Sequence, residues 1–181
     1  MSSEIEKQVV DEYTFGKSYR ALGRKYGVNH ATIRRILVRN GVRVPTKTET
    51  EYMNIANGLG NNVSWQWLSQ FDDIEKLKTL NQCIRPRNDR NRFTADQYMR
   101  YIKRFYGCKQ FNRIYMLWLK NDKSTLRKPS IDHIKPFSKS KDNSIENLQF
   151  LTWMENYCKS NLDQETWNDV KSNLDEYFIG V

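Results

Sequence analysis

The chain has 181 residues, 38% of them hydrophobic and 13% aromatic, with 30 Lys+Arg against 21 Asp+Glu for a net charge of +9. That length favours one or two small domains, and the aromatic content argues against a disordered chain. No apolar run approaches the ~18 residues of a membrane span, the N-terminus lacks an apolar signal-peptide core, and the excess positive charge points to a polyanionic partner. Cys83, Cys108 and Cys158 form no CxxC pair. They read as buried, reduced thiols of a cytoplasmic protein, not as a disulfide framework or a zinc site.

Glu4–Glu12 reads as a helix with Ile5, Val9 and Val10 on one side. Phe15-Gly16 breaks it. Ser18 caps a second helix that runs to Tyr26, where Gly27 ends it. Asn29 caps a third, running to Asn40 before Gly41. This helix carries Ile33, Ile36 and Leu37 on one face and His30, Arg34 and Val38 on the other, with Arg35 nearby. Between Tyr13 and Thr48 there is no Asp or Glu. The same stretch holds nine cations, Lys17, Arg20, Arg24, Lys25, Arg34, Arg35, Arg39, Arg43 and Lys47, and the rest of the chain is neutral. Charge concentrated in this way attracts a phosphate backbone and gains from counterion release.

Ser18–Leu37, a helix, a short glycine turn and a helix, resembles the helix-turn-helix family, in the form found in the DNA-binding tails of recombinases and transposases. Leu22 and Tyr26 fill the apolar slots of the first helix and Ile33 and Ile36 the inward pair of the second. Gly27 is the turn glycine, and Gly23 stands where a small alanine is usual. The resemblance implies that the Asn29–Arg39 helix lies in the major groove. Asn29, His30, Ala31, Thr32, Arg34 and Arg35 would reach base edges. Lys17, Arg20, Arg24 and Lys25 would hold phosphates, and Arg39 would also contact the DNA. Residues 1–42 are thus expected to form a DNA-binding module.

Residues 43–63 lose apolar periodicity and read as a linker, punctuated by Pro45 and the Gly58–Asn62 cluster. Residues 64–181 read as a second domain. Ser64 caps a segment with Trp65, Trp67 and Leu68, and Asp72–Ile84 reads as a helix. Arg85, Arg87, Arg90 and Arg92 lie in a basic loop. Thr94 caps a helix from Ala95 to Tyr106, and Lys109–Leu119 forms another. Tyr98, Tyr101, Phe105, Phe111, Tyr115 and Trp118 recur at helical steps and read as core.

Within 129–161, Ser130–Ile134 reads as a strand ending in Asp132-His133, followed by the polar loop FSKSKDNSIE. Asn147–Leu151 reads as a second strand, and Thr152 caps a helix from Trp153 to Ser160. A further helix is expected over 163–178. The fold class is α+β, mostly helical. Asp132 and Asn156 offer a carboxylate and an amide oxygen, donors suited to a hard cation such as Mg²⁺. His133, on the opposite strand face, suits a general base.

Asp132-His133-Ile-x-Pro, then Asn147, Asn156 and Lys159, resembles the HNH nuclease family and its ββα-metal fold. The resemblance implies a DNA endonuclease of the phage or homing type that leaves 3′-hydroxyl and 5′-phosphate ends. Asp132 and Asn156 would be metal ligands and His133 the base. Asn147 would hold the loop and the histidine, and Lys159 would touch phosphate. Mg²⁺, or Mn²⁺, fits an asparagine at the third motif position, Asn156, better than zinc, and no structural zinc is expected without paired CxxC motifs. The expected partner is double-stranded DNA, bound by a monomer or weak dimer that could be phage-encoded in a bacterial host. The alternative reading is a DNA-binding regulator with a catalytically idle HNH-like domain.

Overall fold

The computed structural model describes residues 3–59, 63–84 and 94–174. It divides into two units, with the boundary between Asp72 and Asp73. The basic loop with Arg85, Arg87, Arg90 and Arg92, and the end of the expected 163–178 helix, lie outside the described residues.

In the first unit, α1 (Ser3–Glu12), α2 (Tyr19–Tyr26) and α3 (His30–Arg39) enclose Val9, Tyr13, Leu22, Ile33, Ile36 and Leu37. The capping residues read from the sequence are those used. Ser18 Oγ accepts from the Ala21 N–H, and Asn29 Oδ1 accepts from the Ala31 N–H at 2.8 Å. Gly27 ends α2 at φ 65° and donates its N–H to the Gly23 carbonyl, satisfying an orphan acceptor. The turn is tight enough to constrain Gly23 itself. A Cβ there would lie 2.6 Å from the Val28 carbonyl oxygen. Alanine at this position would therefore force α2 and α3 apart. We expect Gly23→Ala to destabilise this unit by about 1–3 kcal/mol, as overpacking does, despite a helix-propensity gain of ~1 kcal/mol. Denaturant titration of both chains measures it; an increase in stability would refute the constraint.

The stretch read as a linker is not structureless. Lys47–Leu59 forms α4, burying Tyr52 and Ile55, and Trp65–Leu68 forms the short α5. Thr46 Oγ1 accepts from the Glu49 N–H at 3.1 Å while Glu49 accepts from the Thr46 N–H at 2.8 Å. This is a reciprocal capping box, whose T-x-x-E signature stands in the sequence. Tyr52 Oη donates to the Phe71 carbonyl, which ties α4 to the end of the unit.

The second unit carries α6 (Ile74–Ile84), α7 (Ala95–Tyr106) and α8 (Lys109–Lys120). A two-stranded antiparallel sheet follows, β1 (Pro129–His133) and β2 (Leu148–Thr152). The register pairs Asp132 with Gln149 and His133 with Leu148. Both strands are displaced one residue from the sequence-based bounds. Between them the loop folds further than expected, into α9 (Phe137–Ser140) and a 3₁₀ turn at Ile145–Asn147. Phe150 on β2 is wholly buried, with its ring 5.1 Å from Phe105 and 4.8 Å from Phe111 between centroids. Tyr98, Tyr101, Phe105, Phe111 and Tyr115 of α7 and α8 are buried and form the core that supports the sheet, each full burial contributing about 1.5–3 kcal/mol, whereas Trp118, also expected there, is half-buried. α10 (Trp153–Lys159) packs on both strands and α11 (Gln164–Ser172) follows. Of the three thiols, all free, Cys83 and Cys108 are partly buried and Cys158 is exposed, contrary to the expectation of three buried ones.

Candidate active site

Strand alternation sends the side chains of β1 to opposite faces. Ser130 and Asp132 turn towards α10, where they meet Asn156 and Lys159. His133 meets Phe137 and Asn143 instead. Asp132 is only 8% exposed. Its Oδ2 forms an ion pair with the Lys159 ammonium at 3.0 Å and accepts from the Gln149 amide at 3.2 Å. Its Oδ1 has no hydrogen-bond partner among the described residues.

Asn156 lies on the first turns of α10. Thr152 and Glu155 fix the start of that helix in a capping box, with bonds of 3.1 and 3.0 Å. Asn156 Nδ2 donates to Ser130 Oγ at 2.8 Å and to the Ile131 carbonyl at 2.9 Å. Both donor hydrogens are thereby used, so the amide orientation is fixed and Oδ1 remains as an acceptor.

His133 Nε2 lies 3.0 Å from Asn143 Oδ1. An amide oxygen only accepts, so Nε2 is a protonated nitrogen, and in the neutral imidazole Nδ1 is the one with the lone pair. Asn143 is placed by the loop around it. Buried Asn147 accepts from the Lys135 N–H at 2.8 Å and donates to the Lys135 and Asp142 carbonyls at 3.0 and 2.9 Å. Asp142 accepts from the Ser144 N–H at 2.8 Å. That bond holds the Asp142 carboxyl below the usual range, with lesser help from the Ser144 side chain and from nearby Lys135 and His133. The contacts of Asn147 are with the loop backbone, so it acts on the histidine through the loop.

Residues 120–162 match the family model described as HNH endonuclease. Over this segment the chain is similar to the HNH endonuclease family. No curated protein and no solved structure matches the chain. The matched HNH segment spans the end of α8, both strands and α10, and so contains every residue of the site just described. That similarity points to a nuclease acting on DNA, and HNH nucleases generally use a divalent cation. The donor set fits such an ion. The HNH site offers one carboxylate oxygen and one oriented amide oxygen, both without a protein partner among the described residues, and hard cations take oxygen ligands. Among the described residues there is no cluster of three or more His, Cys, Asp and Glu that could hold a metal ion.

Lys159 differs from expectation. The resemblance implies a phosphate contact for it, yet it is 0% exposed and its ammonium is engaged by Asp132 and by the His133 carbonyl at 2.8 Å. α10 turns this side chain inward because it lies three residues, roughly one turn, after Asn156 on the same face. Asn143, Gln149 and Ser130 were not singled out from the sequence. Gln149 is recoverable from strand register, as the residue opposite Asp132. Asn143 reads only as a turn residue, since its contact is made by the fold of a loop.

The cations expected to meet DNA are divided in the first unit. Glu12 pairs with Lys17 at 3.0 Å and with Lys25 at 2.5 Å, Arg39 pairs with Glu6, and Arg43 pairs with Glu49 at 2.7 Å. The run of cations is thus partly neutralised by acids lying just outside it in sequence. Arg20, Arg24, Arg34 and Arg35 make no ion pair among the described residues and are exposed, while Thr32 is half-buried. Arg20, Arg24, Asn29 and His30 line one shallow depression over the α2–α3 turn.

Hydrogen bonds from Lys25, Tyr26 and Lys17 hold the Glu12 carboxyl down to about 2. A carboxylate with a depressed pKa contributes stability that is complete above its ordinary value of 4.5 and is lost as pH falls towards 2. We expect Glu12→Gln to remove that acid-sensitive part of the first unit's unfolding profile and to release two lysines. Acid titration of both chains by circular dichroism checks it; superimposable profiles would refute it.

Proposed function

We propose that this chain is a metal-dependent endonuclease of double-stranded DNA, aimed by a helix-turn-helix in its first unit. The observation that carries the reading is the end of β1. There one strand places a half-satisfied carboxylate beside an oriented amide oxygen, and the next residue presents a histidine whose free nitrogen is fixed by its neighbour. These are the parts a phosphodiester hydrolase needs: cation ligands and a base.

His133 Nδ1 takes a proton from the water that attacks the scissile phosphorus in line. Asn143 keeps the imidazole in the tautomer that makes this possible, and Asn147 keeps Asn143 in place. A divalent cation held by Asp132 and Asn156 would polarise the phosphate and stabilise the leaving 3′ oxygen. The products are a 3′-hydroxyl and a 5′-phosphate. In the first unit, the unpaired Arg20 and Arg24 hold phosphates. Asn29, His30, Arg34 and Arg35 on α3 face the major groove. The resemblance to phage and homing HNH enzymes supports a freestanding, site-selective nuclease of that type.

The deciding experiment is a plasmid cleavage assay with Mg²⁺ and with EDTA. Nicked or linear product in Mg²⁺ alone, with ends that are substrates for ligase, is the expected result. Intact plasmid with Mg²⁺ and with Mn²⁺, on several DNAs that the chain demonstrably binds, would leave the regulator reading in its place.

A further inference from the structure

A fully buried ammonium in contact with a proposed cation ligand is an unusual arrangement, since burying a charge is costly unless it is paired and hydrogen-bonded. Lys159 is 0% exposed, 3.0 Å from Asp132 Oδ2 and 2.8 Å from the His133 carbonyl. The Asp132 carboxylate is therefore already balanced by a fixed positive charge. The second ligand, Asn156, is neutral. The nearby acids do not supply a second carboxylate. Glu155 is committed to Thr152 and pairs with Lys171 at 3.4 Å, and Asp142 is bonded to Ser144 on the histidine side of the strand. The ligand pair and its lysine together present no net charge to a divalent ion.

We propose that Lys159 makes this site a weak cation site until a phosphodiester joins it, so that the divalent cation and the DNA phosphate bind cooperatively. The proposal rests on Asp132 and Asn156 being the cation ligands, as read above. Oxygen sites for hard cations take much of their affinity from the number of charged ligands. Here the protein contributes one carboxylate and cancels it, and the missing negative charge is the substrate's own. By linkage, the cation must raise DNA affinity by the factor by which DNA raises cation affinity. Lys159 is then a positioning residue that sets the order of assembly: cation and phosphate together, not a preloaded enzyme.

The test uses the full chain carrying His133→Ala, which keeps bound DNA uncut, and Mn²⁺ as the probe, with free Mn²⁺ read by its electron paramagnetic resonance signal. The same chain with Asp132→Asn added subtracts Mn²⁺ held by the DNA alone. We expect duplex DNA to tighten Mn²⁺ binding about tenfold or more, within the range usual for coupled sites. We expect Lys159→Met to tighten DNA-free Mn²⁺ binding by a similar factor and to diminish the further gain from DNA. Equal Mn²⁺ affinity with and without bound DNA overturns the proposal. So does a Lys159→Met chain with unchanged circular dichroism and no gain in DNA-free affinity. Should that variant fail to fold, the comparison with and without DNA decides. Should the chain bind no DNA, the nuclease reading falls, and the DNA-free comparison still decides the part played by Lys159.

Discussion

Replacing His133 by alanine is expected to slow plasmid cleavage about 10²–10⁴-fold, the usual contribution of a positioned general base. In barrier terms this is about 3–5 kcal/mol. The effect should fall on the chemical step alone. Among the described residues the His133 side chain reaches no other element through a buried contact; its ring meets Phe137 and Asn143, both exposed. DNA affinity, measured by fluorescence anisotropy on a labelled duplex, should therefore match that of the parent. Loss of binding in step with loss of cleavage would assign the histidine to substrate contact. Undiminished cleavage would remove it from the reaction.

The second large effect is expected at Asn147. Its side chain makes three hydrogen bonds to the backbone of the loop that follows β1, and it is buried. Alanine would leave the Lys135 and Asp142 backbone groups unpaired, at about 1–3 kcal/mol for each one that water cannot reach. The loop carries Asn143, so the imidazole loses the neighbour that fixes its tautomer. We expect kcat to fall at least about tenfold, the equivalent of ~1.4 kcal/mol, with KM little changed. Asn147→Asp, which retains the acceptor for the Lys135 N–H but not the two donors, should fall between. A variant with lower stability and unchanged kcat would show that Asn147 supports the fold without aiding the chemistry.

Much of this architecture is legible in the sequence because its signals are local. The caps Ser18, Asn29, Thr94 and Thr152 each begin the helix they were read to begin, since a capping side chain bonds a backbone N–H two or three residues away. The pairing of strand and helix around Asp132 and Asn156 follows from residue spacing. What escaped depends on contacts distant in sequence. The charge run between Tyr13 and Thr48 reads as wholly free, yet Glu6 and Glu12 on α1 reach across to neutralise part of it. Lys159 reads as a surface cation because nothing local reports that α10 presses that face against β1. α4 was missed for another reason. Its apolar face is narrow, with Tyr52 and Ile55 the buried residues, so periodicity is faint although the capping box announces its start.

Thr152 is both the last residue of β2 and the cap of α10, and Trp153 already belongs to the helix. No residue of slack separates strand from helix. One residue inserted between them would rotate everything beyond by about 100°, carrying the Asn156 amide off the face that meets Ser130. The segment from Phe137 to Ser144, by contrast, lies mostly at the surface and is tied by side chains at its base. The two connections of one small motif therefore differ sharply in the length variation they can absorb. The first behaves as a welded joint, the second as a place where this protein could be lengthened, tagged or re-sequenced while its two oxygen donors stay where they are.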